Sequence, residues 1–445
     1  MDSVINIFQW LINLGGVVFL PIIIFIIALF FRVSFSKAIM SGITVGIGIV
    51  GLGLVIGLLS DTLGVAIQKM GEQYGTSLSI MDIGCGVGGP LAFSTTLGLL
   101  LIPASLIINF LFISLGWTRT LNVDIWNFWF AIFLGLVAYS VTGEYWVGII
   151  GCITAVMLQW FLADLLQKPI SSFFGYPGIA VTHLMALSGA IVAIPLNWLF
   201  DRIPGLNKLN ADSETLTKRF GIFGDTVVIG LIIGIVVGIL ANYDVPQIGK
   251  LAISTAAIMK IMPKMVAMFM EGLLPVADAA REFTSKKLNG KQVNIGMDAA
   301  LTVGHPAVMA TALIMVPVSL LLALILPGNK VLPFGDLAFY AFGICLMVPF
   351  FKGNIIRSIL GGTIYLVVCL YMATWLAPVI TDVFHLANYD VGTAGIVTVI
   401  LCGLWPVTLF VLLLTHLGFI GLIGLALVIL CLLIYINKIK KIEMY

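Results

Sequence analysis

Residues 81–90 read MDIGCGVGGP, and residues 297–306 read MDAALTVGHP. Both stretches fit the pattern M-D-x-x-x-x-V-G-x-P and lie 216 positions apart. Several matches in one order at nearly one offset indicate an internal duplication, with a chance echo in apolar sequence of low diversity as the alternative. The shorter matches are AIM at 38–40 and 257–259, GLL at 57–59 and 272–274, and Asp124-Ile125 against Asp336-Leu337.

The composition places this duplication in a membrane. Of the 445 residues, 61% are hydrophobic and 9% are charged, whereas a typical soluble domain is about 25% charged. This balance excludes a soluble globular enzyme, a disordered protein and a nucleic-acid binder. The apolar residues fall in blocks of about 20, the length of helix that crosses a bilayer core. The sequence therefore predicts an all-α polytopic membrane protein.

About eleven transmembrane helices are expected. Two further apolar stretches, 176–199 and 391–405, are interrupted by glycine, proline or polar residues. They are typical of re-entrant or interfacial segments, because backbone that leaves the helix at membrane depth must be buried in protein or line a cavity. The predicted spans are 10–31, 38–60, 93–116, 126–142, 146–166, 225–243, 251–275, 307–327, 337–351, 355–376 and 410–436.

Basic residues predict the orientation. With the loop 32–37 on the cytoplasmic side, 17 of the 22 lysines and arginines lie inside, so the N-terminus is expected outside and the C-terminus inside. Five spans per unit give the two units opposite topology, as in alternating-access transporters whose substrate lies near the midplane. The predicted organisation is a first unit over 1–200, a cytoplasmic linker over 201–224, a second unit over 225–404 and a C-terminal span with a short tail over 405–445.

Ionisable residues inside a membrane are costly and are candidates for a functional site. Asp298 and its counterpart Asp82 occupy the two repeated motifs, Asp82 in a loop rich in glycine. His305 precedes Pro306, where a helix is expected to begin. Carboxylates and imidazoles bind hydroxyl groups, which suits a polyol or sugar. The structural alternative is that Asp298 and His305 only pair with each other or cap a helix.

Two more residues complete the candidate substrate site. His183 lies in the interrupted stretch 176–199, and Asp124 lies at the start of a span. A satisfied core histidine and an ordinary helix cap are the respective alternatives. The sequence shows no cluster that resembles a metal site, so neither a metal nor a cofactor is expected.

At these residues the chain resembles the integral membrane IIC component (EIIC) of a galactitol-type sugar phosphotransferase system (PTS), a family related to the ascorbate IIC proteins. The resemblance runs from about residue 8 to about residue 345. The motifs that carry it are NVDIWN (122–127), GIAVTH (178–183), GMDAALTVGHPAV (296–308) and PGNKVLPFGDLA (327–338).

The resemblance implies a homodimeric, elevator-type permease in a bacterial cytoplasmic membrane, with a scaffold part and a mobile core part. The substrate passes to a cytoplasmic EIIB protein whose phosphocysteine phosphorylates it, and EIIA rephosphorylates EIIB. The phosphocysteine is expected on that other chain. The related ascorbate transporters hold their substrate with a histidine and an aspartate, which match His183 and Asp298 here, and Asp82 belongs to the re-entrant loop beside that site.

Three hypotheses follow from the sequence: uptake coupled to phosphorylation, an ion-coupled secondary symporter, and a membrane enzyme or channel. The repeat argues against the third but does not separate the first two. The resemblance favours the first. Asp298 and His305 are the candidates for a base that accepts the proton of the phosphorylated hydroxyl, although the base could also belong to EIIB.

Overall fold

Most of the chain has a described structure. Residues 1–15 and most of the predicted linker 201–224 lie outside the described residues, so these parts of the predicted organisation stay predictions. The computed structural model describes residues 16–59, 79–206, 226–287, 293–387 and 396–439, with the exception of 83, 123, 125 and 334. It also describes a few positions between 61 and 73.

The described residues are mainly helical. Pro306 begins a helix, as its sequence predicts, because its ring fixes φ near the helical value and an N-terminal residue needs no N–H partner. The helices are α1 (Gly16–Phe30), α2 (Phe35–Leu59), α3 (Cys85–Ser94), α4 (Thr96–Leu115), α5 (Trp129–Thr142), α6 (Tyr145–Phe174), α7 (Leu184–Phe200), α8 (Thr226–Leu240), α9 (Val245–Lys287), α10 (Ala300–Val303), α11 (Pro306–Ile325), α12 (Tyr340–Ile344), α13 (Ile355–Leu386) and α14 (Trp405–Ile434), which a π-helix (Tyr435–Ile439) extends.

Several of these helices suit a bilayer. In the described part of the chain, four are long and apolar enough to cross a membrane: α6, α11, α13, and α14 with its π-helical extension. Shorter apolar helices accompany them, among them Leu184–Phe200. These lengths confirm the prediction of a helical membrane protein, whereas the number of eleven spans stays a prediction.

Small residues bring neighbouring helices into backbone contact. A Cβ placed on Gly135 of α5 would lie 2.7 Å from Gly148 O of α6. A Cβ on Gly272 of α9 would lie 2.7 Å from Val45 N of α2. Side chains cannot fit at such crossings, so glycine is required there, as in other close-packed membrane helices.

Two short parallel sheets interrupt the helices. The strands are β1 (Ile80–Asp82), β2 (Thr120–Asn122), β3 (Ile179–Val181), β4 (Asn294–Met297), β5 (Val331–Leu332) and β6 (Val397–Thr398). The first sheet has the order β5-β1-β6, and the second has the order β2-β4-β3. In the first sheet Met81 pairs with both Leu332 and Val397, and in the second Gly296 pairs with both Asn122 and Ala180.

The two sheets have corresponding strand orders. β1 and β4 belong to the repeated M-D motifs and lie at the centre of their sheets. β2 and β5 precede the segments that begin with Asp124 and Asp336, and β3 and β6 follow Gly178 and Gly395, 217 positions apart. Each central strand therefore pairs with two strands from the other half of the sequence.

The interrupted apolar stretches are not simple spans. The stretch 176–199 contains β3 and most of α7, and 391–405 contains β6 and a 3₁₀ turn over Ile400–Gly403. The interval 337–351, expected as a span, differs more: it contains the five-residue helix α12 between the 3₁₀ turns Gly335–Phe339 and Val348–Phe351. Cys345 through Val348 are buried inside the protein, and an apolar composition alone does not distinguish such a segment from a span.

Candidate functional site

The second sheet collects the candidate residues at one edge. Its strands are parallel, so their carboxyl ends meet on the same side. Asp298 directly follows β4, Thr182 and His183 follow β3, and Asp124 comes two residues after β2. Asp124, His183 and Asp298 are all buried. We call this group, with Asn122, Asn127, Gln159 and Thr182, the Asp298 cluster.

A histidine–carboxylate pair lies at the centre of this cluster. His183 Nδ1 lies 3.1 Å from Asp298 Oδ2, and each side chain is 4% exposed. The other oxygen of Asp298 accepts a hydrogen bond of 2.6 Å from Ala300 N. Asp298 therefore fixes the orientation of the imidazole, while His183 Nε2 is buried without a hydrogen-bond partner. This arrangement offers one imidazole nitrogen to a ligand.

Asp124 brings a second carboxylate to the same place. Its Oδ1 accepts from Trp126 N at 3.1 Å, which caps the 3₁₀ turn Trp126–Phe128. The carboxylate also accepts from the backbone of Asn127 and of Asp298, and it interacts electrostatically with the Asp298 carboxylate. Asp124 is thus both a cap, the alternative that the sequence left open, and a member of the cluster.

Amide and hydroxyl side chains connect these groups. In the orientation that satisfies both ends of its amide, Asn127 donates to Asp298 Oδ2 at 2.8 Å and accepts from Thr182 Oγ1 at 2.9 Å. Thr182 Oγ1 lies 3.3 Å from Asn122 Oδ1. Gln159 Nε2 donates to Thr182 O and to Asn127 O, the latter at 3.3 Å. The result is a buried network with neutral donors and acceptors around the two carboxylates.

Asp82 lies in the other sheet. Its Oδ1 accepts from Gly84 N and Ile400 N, each at 3.2 Å, and its Oδ2 accepts from Asp336 N at 2.8 Å. Asp336 in turn accepts from Cys85 N at 2.7 Å and from Leu401 N at 2.8 Å. We call these two aspartates, with the backbone donors they accept from, the Asp82 cluster. Backbone N–H groups thus satisfy all four carboxylate oxygens.

His305 is separate from both clusters in its hydrogen bonding. Residues 298–305 do not form one helix, because α10 ends at Val303 and His305 is extended. His305 Nδ1 accepts from Ala307 N at 3.2 Å and so caps α11. Its half-buried ring contacts Phe173 and Phe174. The structure therefore gives His305 the capping contact, the alternative that the sequence left open.

The structure brings Asp124, His183 and Asp298 together, whereas the hydrogen bonds of Asp82 and His305 given above go to other groups. Sequence reasoning missed Asn122, Gln159 and Thr182 as members of the cluster, and Asp336 as the partner of Asp82. Gln159 had a detectable signal, since it is the one amide within the predicted span 146–166, and polar side chains in membrane helices usually hydrogen-bond across helices.

Comparisons with known proteins identify the family of the chain. A family model described as the sugar-specific permease component of the PTS, EIIC-GAT, matches residues 11–395. A putative permease IIC component of Escherichia coli K12 is 37% identical over 375 residues, which cover 84% of this chain and 86% of that protein. The galactitol-specific EIIC component of the same organism is 34% identical over 369 residues, which cover 83% of this chain and 82% of that protein.

Proposed function

The chain belongs to the galactitol-type family of sugar-specific PTS permease components, and we propose that it binds a polyol and carries it across the cytoplasmic membrane for phosphorylation by EIIB. Galactitol is the foremost candidate, because one relative bears that name. The observation that carries the proposal is the buried pair of His183 and Asp298, which leaves His183 Nε2 open to a ligand.

The chemistry of the cluster suits an uncharged, hydroxyl-rich substrate. A carboxylate such as Asp298 or Asp124 accepts hydrogen bonds from hydroxyl groups, and the imidazole of His183 both donates and accepts. Neutral amides surround these groups, and two carboxylates close together disfavour an anionic ligand. We propose Asp124, His183 and Asp298 as substrate contacts. The substrate roles of Asp82 and His305 stay predictions that mutagenesis can test.

An elevator-type movement is the proposed mechanism of transport. The corresponding strand orders of the two sheets support an inverted repeat of the units 1–200 and 225–404, in which each half supplies the central strand of the other half's sheet. Units that exchange strands in this way are suited to move together as a core against a scaffold. This arrangement is the proposed basis of alternating access around a site near the midplane.

Phosphoryl transfer is proposed to occur at the cytoplasmic side, with the C-terminus inside and the permease acting as a homodimer. The phosphoryl group leaves the cysteine sulfur of EIIB and bonds to a substrate hydroxyl oxygen, which loses its proton. Asp298 is well placed to assist through His183, because an imidazole oriented by a carboxylate can accept such a proton. His305 is the weaker candidate, since its Nδ1 already accepts from Ala307 N.

Transport by reconstituted vesicles tests the proposal. The purified chain is placed in vesicles with labelled galactitol outside and phosphorylated EIIB in the lumen, and unphosphorylated EIIB serves as the control. We expect labelled galactitol phosphate to accumulate only with phosphorylated EIIB. Accumulation of unmodified galactitol under a proton-motive force alone would instead establish an ion-coupled symporter.

A further inference from the structure

His183 is not the only residue of the Asp298 cluster with a buried polar atom that lacks a hydrogen-bond partner in the described part of the chain. In the described part of the chain, three of the buried side-chain atoms without a hydrogen-bond partner belong to it: Asn122 Nδ2, Gln159 Oε1 and His183 Nε2. Buried polar atoms are normally paired, and an unpaired one is destabilising. Three such atoms in one cluster indicate that something absent from the folded chain alone pairs with them.

These three atoms belong to side chains that converge on Thr182. Asn122 Oδ1 lies 3.3 Å from Thr182 Oγ1, and Gln159 Nε2 donates to Thr182 O. His183 is the next residue along the chain. Asn122, Gln159 and Thr182 are at most 1% exposed, and His183 is 3% exposed. The Nε2 end of Gln159 is held by its hydrogen bonds to Thr182 O and Asn127 O, so Oε1 is the free atom of that amide. The single proton of Thr182 Oγ1 goes to Asn127, which leaves the amide of Asn122 with unused hydrogen-bonding capacity.

The first sheet shows that the fold itself does not require such atoms. The counterpart of His183 is Ile400, whose backbone N–H donates to Asp82 at 3.2 Å, and the counterpart of Thr182 is Val399. Both counterparts are apolar and fully buried. A three-stranded sheet of this kind therefore forms without the polar side chains that distinguish the Asp298 cluster.

We infer that Asn122 and Gln159 are further substrate-binding residues, which together with His183 bind separate hydroxyl groups of a neutral polyol; this inference rests on the proposed function. Asn122 Nδ2 donates a hydrogen bond to one hydroxyl oxygen, and Gln159 Oε1 accepts a hydrogen bond from another hydroxyl. An acceptor beside the carboxylates Asp124 and Asp298 disfavours a ligand oxygen that carries negative charge. The site thus selects a neutral polyol over a sugar acid.

Deoxy analogues distinguish a direct contact from a structural role. Binding of galactitol and of its 1-, 2- and 3-deoxy analogues to the full chain in nanodiscs is measured by calorimetry for the wild type, Asn122→Leu and Gln159→Leu. We expect each variant to bind galactitol about tenfold more weakly. For one deoxy analogue, the variant and the wild type should bind equally well. That analogue lacks the hydroxyl that the replaced amide binds, so the substitution removes no contact.

Two controls complete the experiment. Gln167→Leu removes a glutamine from the same helix, where Gln167 Nε2 donates to Ser171 Oγ and Ile179 O, and it is expected to weaken all four ligands equally or not at all. The wild type alone gives a second measurement if a variant fails to fold. It is expected to bind at least one deoxy analogue, and also galactonate, about tenfold more weakly than galactitol.

The outcomes separate the two proposals. The inference would be overturned if both variants lost the same affinity for galactitol and for every deoxy analogue. It would also be overturned if the wild type bound all of these ligands with equal affinity. Either result would leave galactitol transport standing. Water would then be the hydrogen-bond partner of the three atoms. A wild type that binds galactonate as tightly as galactitol would overturn the selection for neutral polyols. A wild type that binds no polyol at all would overturn both the inference and the proposed function.

Discussion

Each three-stranded sheet presents a pair of buried aspartates near its carboxyl edge, Asp82 with Asp336 in the first and Asp298 with Asp124 in the second. In the Asp82 cluster every carboxylate oxygen accepts a backbone N–H group, and Asp336 also has side-chain hydrogen bonds to Cys85 and Asp82. In the Asp298 cluster Asp298 also contacts the imidazole of His183 at 3.1 Å. One sheet geometry can therefore serve either to pair buried carboxylates with backbone N–H groups or to surround them with polar side chains.

The identity of a few side chains decides between these two uses. Ile400 and Phe339 occupy the positions that correspond to His183 and Asn127. With apolar side chains at these two positions, neither contributes a side-chain donor to Asp82 or Asp336, whose four oxygens accept backbone N–H groups. With polar side chains at these positions in the second sheet, the corresponding carboxylates Asp298 and Asp124 become part of a network with unused donors and acceptors. The following variants can break or sharpen this comparison.

The largest effect is expected on stability, from Asp82→Ala. The substitution leaves the N–H groups of Gly84, Ile400 and Asp336 without their acceptor. Each buried unpaired group costs about 1–3 kcal/mol, so the free energy of unfolding should fall by at least about 3 kcal/mol. Thermal unfolding in detergent measures the loss as a lowered Tm. A normal Tm combined with lost galactitol binding would instead assign Asp82 to the substrate, as the sequence predicts.

A milder change in the other cluster, Asp298→Asn, should act on binding rather than on folding. Asparagine retains an oxygen for Ala300 N, so the turn after β4 persists. The substitution removes the carboxylate that orients His183 and is proposed to accept a hydrogen bond from a substrate hydroxyl. Hydrogen bonds to charged groups are worth about 1.5–3 kcal/mol. We expect galactitol affinity to fall about a hundredfold at a Tm close to that of the wild type. Asp82→Asn, at the corresponding position of the other sheet, is the control, and a similar loss of affinity there would abolish the distinction between the clusters.

An intermediate effect is expected from His183→Leu, which imitates the apolar side chain of Ile400. Asp298 then loses one partner, while Asn127 still donates to it. Galactitol affinity should fall about tenfold or more, because Nε2 no longer binds the substrate. Calorimetry in nanodiscs provides the measurement. Unchanged affinity would show that the unpaired nitrogen of His183 is not a ligand contact.

The sequence allowed the class, the repeated motifs and the helix start at Pro306 to be predicted, because apolar blocks, a repeated M-D pattern and a proline are local signals. It could not reveal strands of two to four residues, which are too short for a periodic pattern. It also could not separate Asp82 from Asp298, since parallel pairing joins β1 to β5 and β6 across more than 200 residues. Gln159 joins the site through its hydrogen bonds to Thr182 O and Asn127 O, which connect α6 to segments distant in sequence.

The smallest effect is expected from His305, which tests whether proximity in sequence to Asp298 implies a shared role. His305→Asn retains a side-chain oxygen that can accept from Ala307 N, and asparagine is a favoured helix cap. His305→Ala removes the acceptor and should lower the free energy of unfolding by about 1 kcal/mol, with galactitol affinity within about threefold of the wild type. Measured Tm and calorimetric affinity for both variants separate the two roles. If asparagine restores the Tm but neither variant binds galactitol, the imidazole contacts the substrate, and the site extends from the Asp298 cluster to the start of α11.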